Sequence, residues 1–276
     1  MKERWAGLRV AGRILAALLF VAPIGWAVWA SLQPLDRLYH AGEAEPPRWE
    51  NYERAVTRLP FLRFMGNSLL IATAGTLGVV WSASLAGYAF ARLRWRGRDA
   101  CFVLLLACLV MPETVLLVPR FIVFRALGWV NTYKPLIVPA WLGGGAFYVL
   151  LFRQFFRAVP RELEDAARID GASTWQVYRR IMMPIARPVV AAAACIAFVA
   201  HWHAFLDPLV YLSDFRTFPV SVGLRMYHAL EGSWANLVLA ASLLAMIPPV
   251  LVVLLCQKYL MRGLHLGGGA GRFGGG

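Results

Sequence analysis

Five stretches of this 276-residue chain run for eighteen or more residues without Asp, Glu, Lys or Arg: Ile14–Leu32, Asn67–Ala91, Pro135–Phe152, Pro188–Leu206 and Gly232–Gln257. A sixth, from near Ala100 to about Pro119, is interrupted by Glu113 beside Pro112. A helix needs about 20 mostly apolar residues to cross ~30 Å of hydrocarbon, and in lipid the backbone amides must bond within the segment. The expected architecture is therefore an all-α integral membrane protein with six transmembrane helices. Composition agrees: 59% hydrophobic and 16% charged residues exceed what a soluble core can bury and exclude disorder.

Lys2, Arg4, Arg9 and Arg13 precede the first stretch, as in a signal peptide, but no small-residue cleavage site closes it and Gln33-Pro34 follows. A retained signal-anchor is expected. If the N-terminus is cytoplasmic, the inside segments (1–13, 92–99, 153–187 and 258–276) carry 18 of the 28 Lys and Arg residues. The short loop from Arg92 to Arg98 weighs most in that count, and both termini are expected to be cytoplasmic. The net charge of +13 follows from this asymmetry, so no nucleic-acid partner is needed to explain it.

Within the spans, Pro23 with Gly25 and the pair Pro248-Pro249 mark kinks or hinges. Gly75, Gly78, Ser82, Ala83, Ser84 and Gly87 predict close helix contact along the second span. Cys101, Cys108, Cys195 and Cys256 lie in apolar runs without metal-ligand spacing, and are expected to be structural. No internal repeat is visible, which weighs against a transporter built of inverted halves. The sequence contains no G-x-x-x-x-G-K-[ST] loop, and Gly143-Gly144-Gly145 falls inside a span, so no nucleotide site is expected. The glycine-rich end, 259–276, is expected to be a flexible tail.

One inside loop is too ordered for a connector. From Pro160, the acidic residues Glu162, Glu164 and Asp165 crowd the first turn of a predicted helix, where the helix dipole favours negative charge. Gly171 ends it as a left-handed cap. Ser173 with Gln176 forms a capping-box pattern that opens a second helix, which places Trp175, Tyr178 and Ile181/Met182 on one face. An amphipathic helix here could lie on lipid, but the acidic front of the first helix would be repelled by anionic headgroups. Docking into a protein cleft fits better.

These residues carry a resemblance. Asp165-Ala166-Ala167, Gly171, then Ile181 and Met183-Pro184 resemble the E-A-A-x-x-x-G…I-x-L-P loop of binding-protein-dependent ABC importer permeases, with Asp for Glu and Met for Leu. Asn51-Tyr52, Asn67-Ser68, Gly87-Tyr88-Ala89-Phe90-Ala91-Arg92, the run from Gly128 to Tyr133, Pro208-Leu209 and Arg262-Gly263-Leu264 resemble the carbohydrate branch, of maltose-permease MalG type. The resemblance implies the type-1 importer permease fold, with 1–66 holding the N-terminal tail, first helix and external segment. It implies a core over 67–258 with the coupling loop at 160–184. Glu164, Asp165, Ala166, Ala167, Asp170, Gly171, Ile181 and Pro184 would form the ATPase-coupling site, Asp165 and Glu164 supplying charged contacts. Implied partners are a second, related permease, a dimer of cytoplasmic ATPase subunits, an extracytoplasmic solute-binding protein and the bilayer of a bacterial inner membrane. ATP and Mg would be bound by the ATPase; this chain would hold no cofactor and be no enzyme itself.

Solute contacts are legible only as candidates. Glu113 is a pathway or interfacial charge. In His201-Trp202-His203 the two histidines point to different faces, which disfavours a metal pair. Trp202 could stack on a sugar ring or serve as an interfacial aromatic. The implied cargo is a sugar or related polyol, with glycerol phosphate or another small solute as the alternative. A self-sufficient secondary transporter or channel would need ionisable relays at mid-membrane, where only Glu113 is available.

Overall fold

A computed structural model describes residues 2–34, 46–229 and 234–267. Among the described residues the chain is all-α, without strands. In order the helices are α1 (Lys2–Ser31), α2 (Glu50–Thr57), α3 (Phe61–Arg92), α4 (Arg98–Val110), α5 (Leu117–Ala126), α6 (Lys134–Trp141) and α7 (Ala146–Ala158). They continue with α8 (Glu162–Ile169), α9 (Thr174–Val177), α10 (Met183–Ile185), α11 (Arg187–His203), α12 (Leu206–Tyr211), α13 (Val220–Ala229) and α14 (Ala235–Gly267). The chain is a multi-pass membrane protein. Among the described residues three helices are long and apolar enough to cross a bilayer, Phe61–Arg92, Lys134–Ala158 and Ala235–Tyr259. A fourth arises if Thr174–Ile185 and Arg187–His203, bent by 77°, count as one span. Leu15–Ser31 is apolar but shorter. α14 runs to Gly267, and the rest of the glycine-rich end, 268–276, lies outside the described residues.

The third stretch is not one helix. α4 stops at Val110, Met111 is extended (φ −71°, ψ 123°) and α5 resumes only at Leu117. Pro112 is the physical reason, because its ring pushes the preceding residue out of the helical region and it offers no amide donor. The fourth stretch breaks too. Gly144 (φ +64°) and Gly145 (φ +88°) adopt left-handed conformations between α6 and α7. A Cβ on Gly144 would lie 2.9 Å from the Val79 carbonyl, so only glycine fits there.

The fold divides into two compact units, Met1–Met65 with Val222–Ile247, and Gly66–Ser221 with Pro248–Gly276. In the first, the Asn51 side chain donates to the Ser31 and Gln33 carbonyls at 2.8 and 3.1 Å, satisfying acceptors that the end of α1 leaves free. The Tyr227 hydroxyl donates to the Ala55 carbonyl, and burial pushes its pKa up to about 12.

In the second unit, small residues set the spacing. A Cβ on Gly78 would lie 2.4 Å from the Trp141 ring, and one on Gly87 would lie 2.5 Å from Phe152 Cβ. Lipid tails are as apolar as leucine, so helices in a membrane associate through close packing and hydrogen bonds rather than water exclusion. The Ser82 Oγ, 2.8 Å from the Ala140 carbonyl, and the Trp141 Nε1, donating to the Ala74 carbonyl at 3.0 Å, add such bonds between α3 and α6. The largest buried cluster joins α3, α7 and the loop helices through Tyr88, Val149, Phe152, Phe156, Tyr178 and Met182.

Candidate functional site

The loop after α7 folds as its sequence dictates. Ser173 Oγ accepts from the Gln176 amide at 3.3 Å while Gln176 Oε1 accepts from the Ser173 amide at 2.8 Å, a complete capping box. Gly171 takes φ +82° and reverses the chain between α8 and α9. Beyond α9, Tyr178–Met182 form a single π-helical turn. This widened turn brings Val177, Tyr178 and Met182 all into the core, whereas helical spacing alone assigned Trp175, Tyr178 and Ile181/Met182 to that face. Trp175 remains half exposed with its ring against Trp81, and Ile181 packs at the edge of the core. Pro184 is exposed in α10, just before the chain bends into α11.

α8 presents an unusual face. It buries only Glu164 and Ala167. Asp165, Ala166 and Asp170 are exposed, and Ile169 is 86% exposed with Leu163 at 45%. The burial polarity is inverted: a carboxylate points inward and apolar side chains point out. Expected together as charged contacts, Glu164 and Asp165 part company, because Glu164 is turned in toward Arg92. Its Oε1 lies 3.1 Å from the Arg92 Nε, with side chains 5% and 3% exposed. Arg168 approaches the other carboxylate oxygen at 3.6 Å. Asp165 alone of the two is free to meet a partner.

The candidate pathway residues separate into two places. Glu113 sits in the break between α4 and α5, and lines a cavity of about 380 Å³ with Thr114, Leu117, Arg120, Phe205 and Asp207. Arg120 stands 3.6 Å from Asp207 and donates weakly (3.4 Å) to the Glu113 carbonyl. Burial raises the Asp207 pKa above its usual range; Arg120 opposes that rise and Glu113 adds to it. The sequence showed Arg120 and Asp207 only as loop charges, with no signal that the break would gather them beside Glu113. The His201–His203 cluster faces elsewhere. Trp202 is 3% exposed and stacked on Phe198, leaving it no open ring face. His201 bonds the Ala197 carbonyl at 2.8 Å and packs where a Cβ on Gly75 would lie 2.4 Å from its ring. Only His203 is exposed, its Nδ1 held 2.9 Å from the Val199 carbonyl.

Residues 78–265 match the family described as "Binding-protein-dependent transport system inner membrane component". The chain belongs to that family and is a non-catalytic, membrane-embedded permease of the ABC-importer type. It is 33% identical to the trehalose/maltose transport system permease protein MalG of Thermococcus litoralis, covering 94% of this chain and 95% of that protein. It is 31% identical to the arabinooligosaccharides transport system permease protein AraQ of Halalkalibacterium halodurans, covering 93% and 94%. It is 36% identical to the sn-glycerol-3-phosphate transport system permease protein UgpE of Salmonella typhi, covering 76% and 74%. Its fold is similar to a chain of a bacterial ABC transporter involved in the import of the acidic polysaccharide alginate, with a TM-score of 0.78 at 20% identity, covering 94% of this chain and 98% of that one.

Proposed function

We propose that this chain forms half of the transmembrane path of an ATP-driven importer for a sugar or related polyol, and that the loop 160–184 couples it to a cytoplasmic ATPase. The observation that carries this reading is the inverted face of α8. Exposed Leu163, Ala166 and Ile169 beside exposed Asp165 are poorly placed for water and well placed for a protein groove. Asp165 supplies a charge-assisted contact to a basic residue of the ATPase. Ala166 permits close approach, while Asp170 and Gly171 set the turn. Ile181 and Pro184 carry the second half of the loop into α11.

In this reading the polypeptide crosses the bilayer six times with both termini cytoplasmic, α4–α5 making a broken third crossing, and 67–258 is the transport core. It works in a bacterial inner membrane beside a second, related permease. Two ATPase subunits holding ATP and Mg lie below, and a solute-binding protein lies outside. Closure of the ATPase pair moves the loop, and the loop moves α7 and α11, a two-state element biased from both ends. The sugar class is supported by the names of the MalG and AraQ relatives. The cavity between Glu113, Arg120 and Asp207, with two carboxylates to one guanidinium, suits a neutral hydroxylated solute better than a phosphate ester.

The test is uptake by membranes containing the whole transporter, with labelled trehalose and sn-glycerol 3-phosphate as probes. Uptake of trehalose that disappears with an ATP-site lesion in the co-purified ATPase supports the reading. Uptake of the phosphate ester alone overturns the sugar class, and uptake that survives the lesion overturns ATP coupling.

A further inference from the structure

Resting on the docking reading above, we infer that Arg92 is the positioning residue of coupling: one guanidinium locks α8 to the ends of both α3 and α7, so that force on the loop reaches the two helices together. Arg92 is the last residue of α3. Its Nη2 donates to the Phe156 and Val159 carbonyls at the end of α7, which the finished helix leaves unbonded. Its Nε faces the Glu164 carboxylate in the first turn of α8. Neither Nε nor Oε1 has a hydrogen-bond partner, so this side of the clamp is a direct charge contact. Three elements thus meet on one side chain. Only the planar, multi-donor guanidinium can face three acceptors in this way; an ammonium lacks the fork.

Packing does not hold α8 in its place. Only Ala167 and Glu164 of α8 are buried, and beside them a cavity of about 360 Å³ opens between Arg92, Arg94, Arg161, Asp165 and Arg168. With so little apolar contact, the orientation of the helix depends on the ion pair. Buried ion pairs are poor stabilisers, since well-packed apolar side chains often serve stability as well or better. What such a pair adds is a fixed register between elements. The two acidic residues of the first turn therefore have opposite tasks. Glu164 faces inward and holds the lever, while Asp165 faces outward and meets the partner.

The experiment uses the intact transporter in liposomes, comparing Glu164→Gln, Arg92→Lys and the apolar pair Arg92→Met with Glu164→Met. Three quantities are read: the amount of ATPase subunit co-purified, the melting temperature, and the ratio of binding-protein-stimulated to basal ATP hydrolysis. All three variants are expected to retain the ATPase and to lose at least about fivefold in the ratio, the lower range of an allosteric coupling, and each also melts lower because it strands a buried charge or the Phe156 and Val159 carbonyls. A wild-type ratio in Glu164→Gln or in the apolar pair overturns the clamp. So does a ratio that returns to the wild-type value when hydrolysis is assayed well below the variant's melting temperature, which would make the pair merely structural. Asp165→Lys is run alongside: if it retains both the ATPase and the ratio, the docking reading fails by itself, whatever the clamp variants do.

Discussion

The Tyr178 hydroxyl meets the Ser84 Oγ at 2.8 Å, both groups buried, joining the π-helical turn of the loop to the last third of α3. The two partners are not equally dependent on the bond. Ser84 also reaches the Trp81 carbonyl of its own helix at 3.0 Å, whereas Tyr178 has no other partner among the hydrogen bonds of the described residues. Ser84→Ala should cost about 1–3 kcal/mol by stranding a buried hydroxyl, and Tyr178→Phe only about 0.5–1.5 kcal/mol. The double variant should cost no more than Ser84→Ala. Melting of the purified protein in detergent checks this order, and additive losses would deny the bond.

Gly87 and Gly66 lie on the same helix and should respond oppositely to alanine. A Cβ on Gly87 would meet Phe152 Cβ at 2.5 Å and the Arg153 amide at 3.0 Å, while one on Gly66 would meet nothing within 4 Å. Gly87→Ala should destabilise by about 1–3 kcal/mol through overpacking. Gly66→Ala should gain up to about 1 kcal/mol from helix propensity. Thermal unfolding of the two variants checks both signs.

Asp207 should make stability fall with rising pH. Its folded pKa is raised from 3.8, mainly by burial, so between the unfolded and folded values the native state binds more protons. Stability is then highest below 3.8 and declines as pH climbs through the folded value. Asp207→Asn should remove that part of the decline, because an amide needs no ionisation. Melting temperatures of both proteins across mildly acidic pH check it. Parallel curves would contradict the assignment.

Gly171 at φ +82° cannot become proline, whose ring holds φ near −65°. Gly171→Pro should abolish uptake, as should Asp165→Lys, with both proteins still recovered from the membrane fraction in near-normal amount. Gly171→Ala should lose less, since one left-handed alanine costs about 1–2 kcal/mol. Uptake by membrane vesicles, normalised to the chain recovered, is the check.

How much of this was legible in the sequence depended on range. The capping box at Ser173 and Gln176, the acidic first turn of α8 and the small residues of α3 are local patterns, and the structure realises each of them. Pro112 and Glu113 already marked an interruption, although not that α4 would end there outright. Gly143-Gly144-Gly145 does fall inside the span Lys134–Ala158, but the positive φ of Gly144 and Gly145 was hidden, because composition sees apolarity and not backbone sign. The Arg92–Glu164 pair was out of reach. In the sequence Arg92 reads as an orienting loop charge and Glu164 as one of three acids in a helix start, and only the fold, which sets the end of α3 against the end of α7 and the first turn of α8, reveals the contact. The Glu113–Arg120–Asp207 cavity was hidden for the same reason, its charges drawn from separate elements.

The most direct check is a photo-crosslinking side chain placed at Ile169, which stands 86% exposed on α8, with irradiation of the intact transporter in its membrane. An adduct between this chain and the ATPase subunit is expected, lost when Asp165→Lys is added. Adducts confined to lipid, or to a protein on the opposite side of the membrane, would contradict the proposal that this helix is the handle by which ATP hydrolysis moves the permease.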